Sequence, residues 1–65
     1  MKFNNPPIFT TSVSGPWGVD SLGRHWYVVH CKTLRAKRIG PVGAKRRNYF
    51  DAAIAEADRR NREES

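Results

Sequence analysis

Large apolar side chains are scarce in this chain, and the scarcity limits its fold. Of its 65 residues 38% are apolar, but six of these are alanines and one is Met1, which leaves about eighteen larger side chains. A chain of this size buries only about 60% of the surface that it exposes when unfolded. Such a core supports one layer of sheet against one helix and is too small for a deep catalytic or cofactor pocket. We therefore expect one small domain and no cofactor.

Two segments carry the clearest apolar patterns. The β-branched and aromatic run from His25 to Cys31 predicts a strand, and we expect Trp26 and Val28 to face a helix. That helix is C-terminal, with Asn48 or Asp51 as its N-cap. Its apolar stripe has the spacing i, i+3, i+4, i+7 and consists of Phe50, Ala53, Ile54 and Ala57.

The rest of the chain predicts shorter elements. Residues 1–7 are a flexible lead-in with little to bury, and the single domain spans 8–65. Ile8 to Val13 reads as a short strand, and Asp20 to Gly23 as a reverse turn in which Gly23 can take a positive φ. Leu34 to Ile39 is the returning strand, with a bulge or an end at Arg38–Ile39. Together these elements predict an α+β fold, a small antiparallel sheet of about three strands packed by one C-terminal helix.

The positive charge is concentrated in the middle of the chain. The net charge is +6, yet residues 1–23 are neutral, residues 24–50 carry +8 without an acid, and residues 51–65 carry −2. An uninterrupted basic segment repels itself, and a polyanionic partner offsets that repulsion. The candidate nucleic-acid-binding residues are the eight cations of this segment: Arg24, Lys32, Arg35, Lys37, Arg38, Lys45, Arg46 and Arg47.

Two features suggest how such a surface could bind. Arg35 and Lys37 alternate along the returning strand, so both side chains can project from one face of a ribbon that fits a major groove. Trp17 or Tyr27, if exposed, could stack on unpaired bases or anchor a protein partner. Lys45, Arg46 and Arg47 would flank the ribbon from a loop before the helix.

Catalytic and metal chemistry has little support. His30 and Cys31 are neighbours in a predicted strand, so their side chains point to opposite faces and do not form a nucleophile–base pair. The same divergence argues against a metal site on this strand, and no serine lies in a nucleophile elbow. The longest apolar run, Trp26 to Val29, is too short to span a bilayer. With one cysteine, the expectation is a non-enzymatic protein of the cytoplasm, with no membrane partner.

The order of the parts resembles a known family. The motifs are a glycine turn, a Trp-x-Val strand, a basic return strand and an Ala/Glu-rich helix opened by an aromatic: Gly23-Arg24, Trp26-Tyr27-Val28, Arg35 to Lys37, and Phe50 through Ala55-Glu56-Ala57 to Arg59-Arg60-Asn61. Over residues 8–61 the chain resembles the arm-site DNA-binding domains of phage-type integrases, a plan shared by plant ethylene-response-type domains and by short phage proteins. The resemblance implies that the sheet enters the major groove with the helix behind it, and that Arg35 and Lys37 face DNA.

Two hypotheses follow. The first is a nucleic-acid-binding protein, with duplex DNA favoured, that serves as an accessory or regulatory protein of a phage or mobile element. The alternative is a small phage-type protein that binds an acidic surface of a host or viral protein and inhibits or redirects it. Pairing of sheet edges could also produce a homodimer.

Overall fold

The protein is an antiparallel sheet with a helix packed across it. The computed structural model describes residues 2–43 and 46–64, with side chains throughout except at 46–48. The sheet order is β1 (Trp17–Leu22), β2 (His25–His30), β3 (Ala36–Pro41), and the helix α1 (Arg46–Glu64) contacts all three strands. The predicted α+β fold with one C-terminal helix is confirmed, and the strongest strand prediction agrees with β2 to within one residue.

A two-residue turn joins β1 to β2. Gly23 and Arg24 have φ values of +59° and +65°, the left-handed pair that a tight hairpin with right-handed strand twist requires. The predicted positive φ of Gly23 is confirmed, but the turn lies two residues later than the predicted Asp20–Gly23, because Asp20 still pairs with Tyr27 of β2. The ladder between the two strands therefore overrides the turn preference of the Asp-Ser sequence.

The strand predicted from Ile8 to Val13 is absent. Within it only Phe9 pairs with the sheet, through reciprocal hydrogen bonds with Val19 of 3.0 and 2.8 Å on the outer edge of β1. The chain then turns toward the helix, where Asn61 Nδ2 donates to the Val13 carbonyl at 3.0 Å. The backbone polar groups of Val13 are therefore satisfied by hydrogen bonds to side chains of the helix, rather than by a neighbouring strand.

The returning strand lies two residues later than predicted. Leu34 has a φ of +63°, and its N–H donates to the carbonyl of the last residue of β2 at 2.8 Å, so it belongs to the turn. Of the two alternatives predicted at Arg38–Ile39, a bulge or the strand end, the bulge is confirmed: Arg38 and Gly40 pair with consecutive residues of β2, which leaves Ile39 as the extra residue.

The main core lies between the sheet and the helix. Trp26 and Val28 face the helix as predicted, and the alanines of the apolar stripe let α1 lie close to the sheet. The helix begins at Arg46, so both predicted N-caps are wrong. The fully buried residues of the main core are Val19, Val28, Ala53 and Ala57. The half-buried residues packed against them are Trp17, Trp26, Ile39, Phe50 and Ile54.

A second, smaller cluster covers the other face of the sheet. Phe3 is 9% exposed, and its ring packs edge-on against Tyr27 with 5.3 Å between centroids. Its N–H donates to the Leu34 carbonyl at 2.8 Å, and Lys2 pairs with Arg35 beside β3. The prediction that residues 1–7 offer little to bury is therefore wrong for Phe3.

Candidate nucleic-acid interface

Five of the predicted cations follow one edge of the sheet. β3 is an outer strand that pairs with β2 on one side. Lys37 and Arg38 lie in β3 and Arg35 directly precedes it, while Lys32 and Arg24 lie in the turns at the two ends of the sheet. The Arg24 carbonyl accepts a hydrogen bond from the Val42 N–H at 2.7 Å, which ties that turn to the end of β3. We call this exposed set the basic edge: Arg24, Lys32, Arg35, Lys37 and Arg38.

The basic edge has cations on both sides of the sheet. Lys37 pairs with Val28, whose side chain lies in the helix-side core, and cross-strand partners share a side. Arg35 alternates with Lys37 and so lies on the helix side too, whereas Arg38 pairs with Tyr27 on the opposite side. The structure thus places Arg35 and Lys37 together, but not on the face away from the helix that the resemblance implies.

Lys2 extends the basic edge and was not among the predicted residues. It is exposed and pairs with Arg35 in an isolated bridge next to β3. No local sequence signal could have revealed it, because the two residues are far apart in the chain and meet only through the docking of Phe3.

The cations of the basic edge have no acidic partners within the ranges that the structure describes. Within α1, by contrast, three ion pairs are each 2.7 Å long: Arg59–Glu56, Arg59–Glu63 and Arg60–Glu56. Hydrogen bonds from Arg59, reinforced by Arg60, lower the pKa of Glu56 to about 2. Arg59 and Arg60 are therefore matched by Glu56 and Glu63, whereas the cations of the basic edge have no such partner among the described residues.

The helix runs across the sheet from the β3 side to the β1 side. α1 starts over β3, where a Cβ added at Gly40 would overlap the Tyr49 ring, and it ends over β1, where Trp17 Nε1–H donates to Glu64 at 2.8 Å. Asp51 lies near the start of the helix and the other four helix acids lie in residues 56–64, where Glu64 lines a surface pocket together with Lys32. The positive end of the helix dipole lies on the β3 side and adds to the same potential.

The remaining predicted cations are placed only in part. Lys45 and the side chains of Arg46 and Arg47 lie outside the described residues. The backbone of Arg46 and Arg47 forms the first turn of α1, so the prediction that these two residues precede the helix is wrong. That turn has no acidic residue. Positive charge in the first turn of a helix opposes the helix dipole. A contribution to helix stability therefore does not explain why Arg46 and Arg47 are at this position.

Neither predicted aromatic presents a free ring to the basic edge. Tyr27 is 9% exposed and lies beneath Phe3. Trp17 is half-buried near the other end of the helix, where the Arg60 guanidinium lies 4.6 Å from its ring centroid and His30 packs edge-on at 5.0 Å. Tyr27 was expected to stack on a base or anchor a partner only if its ring is exposed, and the ring is not exposed.

Tyr49 is an aromatic residue that the sequence analysis missed. It is 37% exposed, and its ring lies against the backbone of Gly40 in β3. In the sequence, an exposed position for Tyr49 was indicated by its place directly before Phe50 and outside the apolar stripe of the helix.

Other chemistry finds little support in the described ranges. His30 Nδ1 accepts hydrogen bonds from the backbone N–H groups of Lys32 and Thr33, both at 3.2 Å, so this nitrogen holds the turn. In residues 2–43 and 46–64, no three His, Cys, Asp or Glu side chains are grouped to hold a metal ion. Over the same residues, the one helix lacks the apolar length needed to cross a bilayer.

Comparison with known proteins adds no identification. No protein-family model, curated protein or solved structure matches this chain. The resemblance to integrase arm-site domains therefore depends on the order of its motifs alone.

Proposed function

We propose that this protein is a non-enzymatic nucleic-acid-binding protein with duplex DNA as its favoured ligand. In this proposal it is an accessory or regulatory protein of a phage or mobile element and acts in the host cytoplasm. The basic edge carries the proposal: its five exposed cations have no acidic partner among the described residues, whereas Arg59 and Arg60 of the helix are paired with acids. Phosphates would supply the missing negative charge.

Edge protection is an alternative reason for basic residues on an outer strand. Charged side chains, bulges and prolines keep such strands from pairing with other chains. This accounts for Lys37, Arg38, the bulge at Ile39 and Pro41 at the end of β3. It does not account for the two turn residues, Arg24 and Lys32, so edge protection explains only part of the pattern.

The arrangement favours contact with phosphates over insertion of a sheet face into a groove. Phe3 covers the face away from the helix at Tyr27, which is the face that the resemblance would place in the major groove. β3 is about 20 Å long at 3.3 Å per residue, and duplex DNA carries one charge per about 1.7 Å of its axis. The strand can therefore lie along several phosphates, with Lys37 on one side and Arg38 on the other. Phosphate contacts of this kind fix position and do not read sequence.

The alternative, binding to an acidic protein, depends on Trp17 or Tyr27 as a buried anchor. Tyr27 is covered by Phe3, and Trp17 is engaged by Arg60 and Glu64. No observation specifically favours this alternative, so we do not propose it.

Salt dependence tests the proposal directly. The affinity for a labelled duplex is measured by fluorescence anisotropy as salt rises from about 50 to about 200 mM. If all five cations of the basic edge meet phosphates, the slope of log K against log salt is about −4.5, and affinity falls about 500-fold over this range. Binding that barely changes with salt would contradict the proposal.

Two double variants with the same loss of charge separate the basic edge from net charge. Arg35→Gln with Lys37→Gln is expected to weaken binding and to make the slope shallower by about 2. Arg59→Gln with Arg62→Gln is expected to leave the slope unchanged, after circular dichroism has shown that both variants are folded. Equal losses in the two variants would show that overall charge, rather than the basic edge, attracts the DNA.

A further inference from the structure

Tyr49 is the described aromatic residue that is open to solvent beside the basic edge. Trp26, Phe50 and Phe9 pack against one another at centroid distances of 4.9 to 6.0 Å. Of these, Phe9 is 38% exposed but pairs with Val19 on the outer edge of β1, away from the basic edge. Tyr49 is 37% exposed and makes no ring–ring contact with another described residue. Its hydroxyl likewise has no hydrogen bond within the described part of the chain.

The Tyr49 ring packs against a residue of β3. Gly40 lies where any Cβ would overlap the Tyr49 ring, so the strand provides a side-chain-free position against which the ring rests. Gly40 pairs with Trp26, which faces the helix, so Gly40 and Tyr49 lie on the helix side of the sheet. Arg35 and Lys37 lie on this same side, so two cations and one aromatic ring follow one another along about 17 Å of strand.

A row of cations that ends in an accessible aromatic ring suits nucleic acid with an unpaired base. The cations hold successive phosphates while the ring stacks on a base, and stacking tolerates any sequence because every base has a π-face. A fully paired duplex offers the same phosphates but keeps its bases stacked inside.

We propose that Tyr49 stacks on an unpaired base of the bound DNA. DNA that carries unpaired bases next to a duplex is therefore bound more tightly than fully paired DNA. This inference rests on the proposed function, because it assumes that the basic edge holds the phosphates. It adds a contact that the cations cannot provide.

The test compares two overhangs with equal charge. One duplex carries a single-stranded overhang of about six thymidines, and the other carries an abasic overhang with the same number of phosphates. Because aromatic stacking of one base is worth about 5- to 150-fold in affinity, the wild-type protein should prefer the thymidine overhang by a factor in this range. Equal affinity for the two overhangs would overturn the inference.

Variants at Tyr49 show whether this ring is responsible. Tyr49→Phe keeps the ring and should keep the preference, whereas Tyr49→Leu keeps an apolar contact with Gly40 and should abolish it. A preference that survives Tyr49→Leu would overturn the inference. The variant Arg35→Gln with Lys37→Gln should weaken binding to both probes while the preference persists. Absence of binding to every probe, including the blunt duplex, would instead contradict the proposed function.

Discussion

Asn61 joins the last turns of the helix to the segment that leads into β1. It is 1% exposed, and its Oδ1 accepts a hydrogen bond from the Trp17 N–H at 2.8 Å. Its Nδ2 lies 3.0 Å from three acceptors, Thr11 Oγ1 and the carbonyls of Val13 and Trp17. The amide orientation follows from this network, because the flipped amide would point its oxygen at two carbonyls.

Replacing Asn61 with alanine should remove a large part of the stability of the protein. The amide group has two N–H hydrogens for three acceptors, so about three full hydrogen bonds are lost, counting the one to the Trp17 N–H. At about 1 kcal/mol each the cost is about 3 kcal/mol. A domain of this length has a free energy of unfolding of about 3–10 kcal/mol, so the melting temperature should fall by about 12–24 °C.

Urea and thermal unfolding, followed by circular dichroism and tryptophan fluorescence, measure this loss. Glu63→Ala in the same helical turn is the control, since the Glu63 side chain is 65% exposed and its pair with Arg59 is worth about 0.5 kcal/mol or less. Asn61→Asp keeps the size of the side chain but removes both N–H donors, so it separates hydrogen bonding from packing.

The reasoning fails if Asn61→Ala costs less than about 1 kcal/mol, the value of a single hydrogen bond. It also fails if Asn61→Asp is as stable as the wild type at neutral pH. In that variant a carboxylate oxygen would face the carbonyls of Val13 and Trp17, which raises the cost to at least that of the alanine variant.

Two further predictions concern the other face and the helix surface. Phe3→Ala should lower the free energy of unfolding by about 3 kcal/mol in urea, because Phe3 fills the cluster against Tyr27 and Val29; a loss below about 1 kcal/mol would contradict this packing. The pKa of Glu56 is about 2 in the folded protein against 4.5 ordinarily, so its stabilisation is fully present above pH 4.5 and is lost as the pH falls toward 2. After solvent screening we expect this to amount to about 1 kcal/mol, measured as a difference between wild type and Glu56→Gln that disappears in acid.

The parts of the fold that the sequence predicts well are those with strong local periodicity. β2 and the helix stripe are recognisable because alternation and i, i+3, i+4 spacing report burial directly. The bulge at Ile39 was visible as a break in alternation. A strand was wrongly predicted from Ile8 to Val13 because this segment and Trp17 to Leu22 have similar strand character. What separates them is the long-range attachment of Thr11 and Val13 to Asn61.

The site could be predicted as a set of charges but not as a surface. The basic segment was evident from the sequence, and so was the shared side of Arg35 and Lys37. Which side that is depends on the register with Val28, and the covering of the opposite face depends on Phe3. The position of the Tyr49 ring depends on its contact with Gly40. This contact joins the start of the helix to the strand before it, and no local sequence pattern encodes it.

The direction of the helix is what turns a block of charge in the sequence into a charged edge. α1 carries five acids, four of them in residues 56–64, and it runs from β3 toward β1. If the helix crossed the sheet in the reverse direction, Glu63 and Glu64 would lie at the Gly40 end of β3, near the Arg24 turn, where opposite charges would attract each other. In the observed direction Glu64 instead accepts the Trp17 indole N–H, and Glu63 pairs with Arg59. The contacts that fix this direction, Tyr49 on Gly40 at one end and Asn61 at the other, therefore also keep Glu63 and Glu64 away from the Gly40 end of the basic edge.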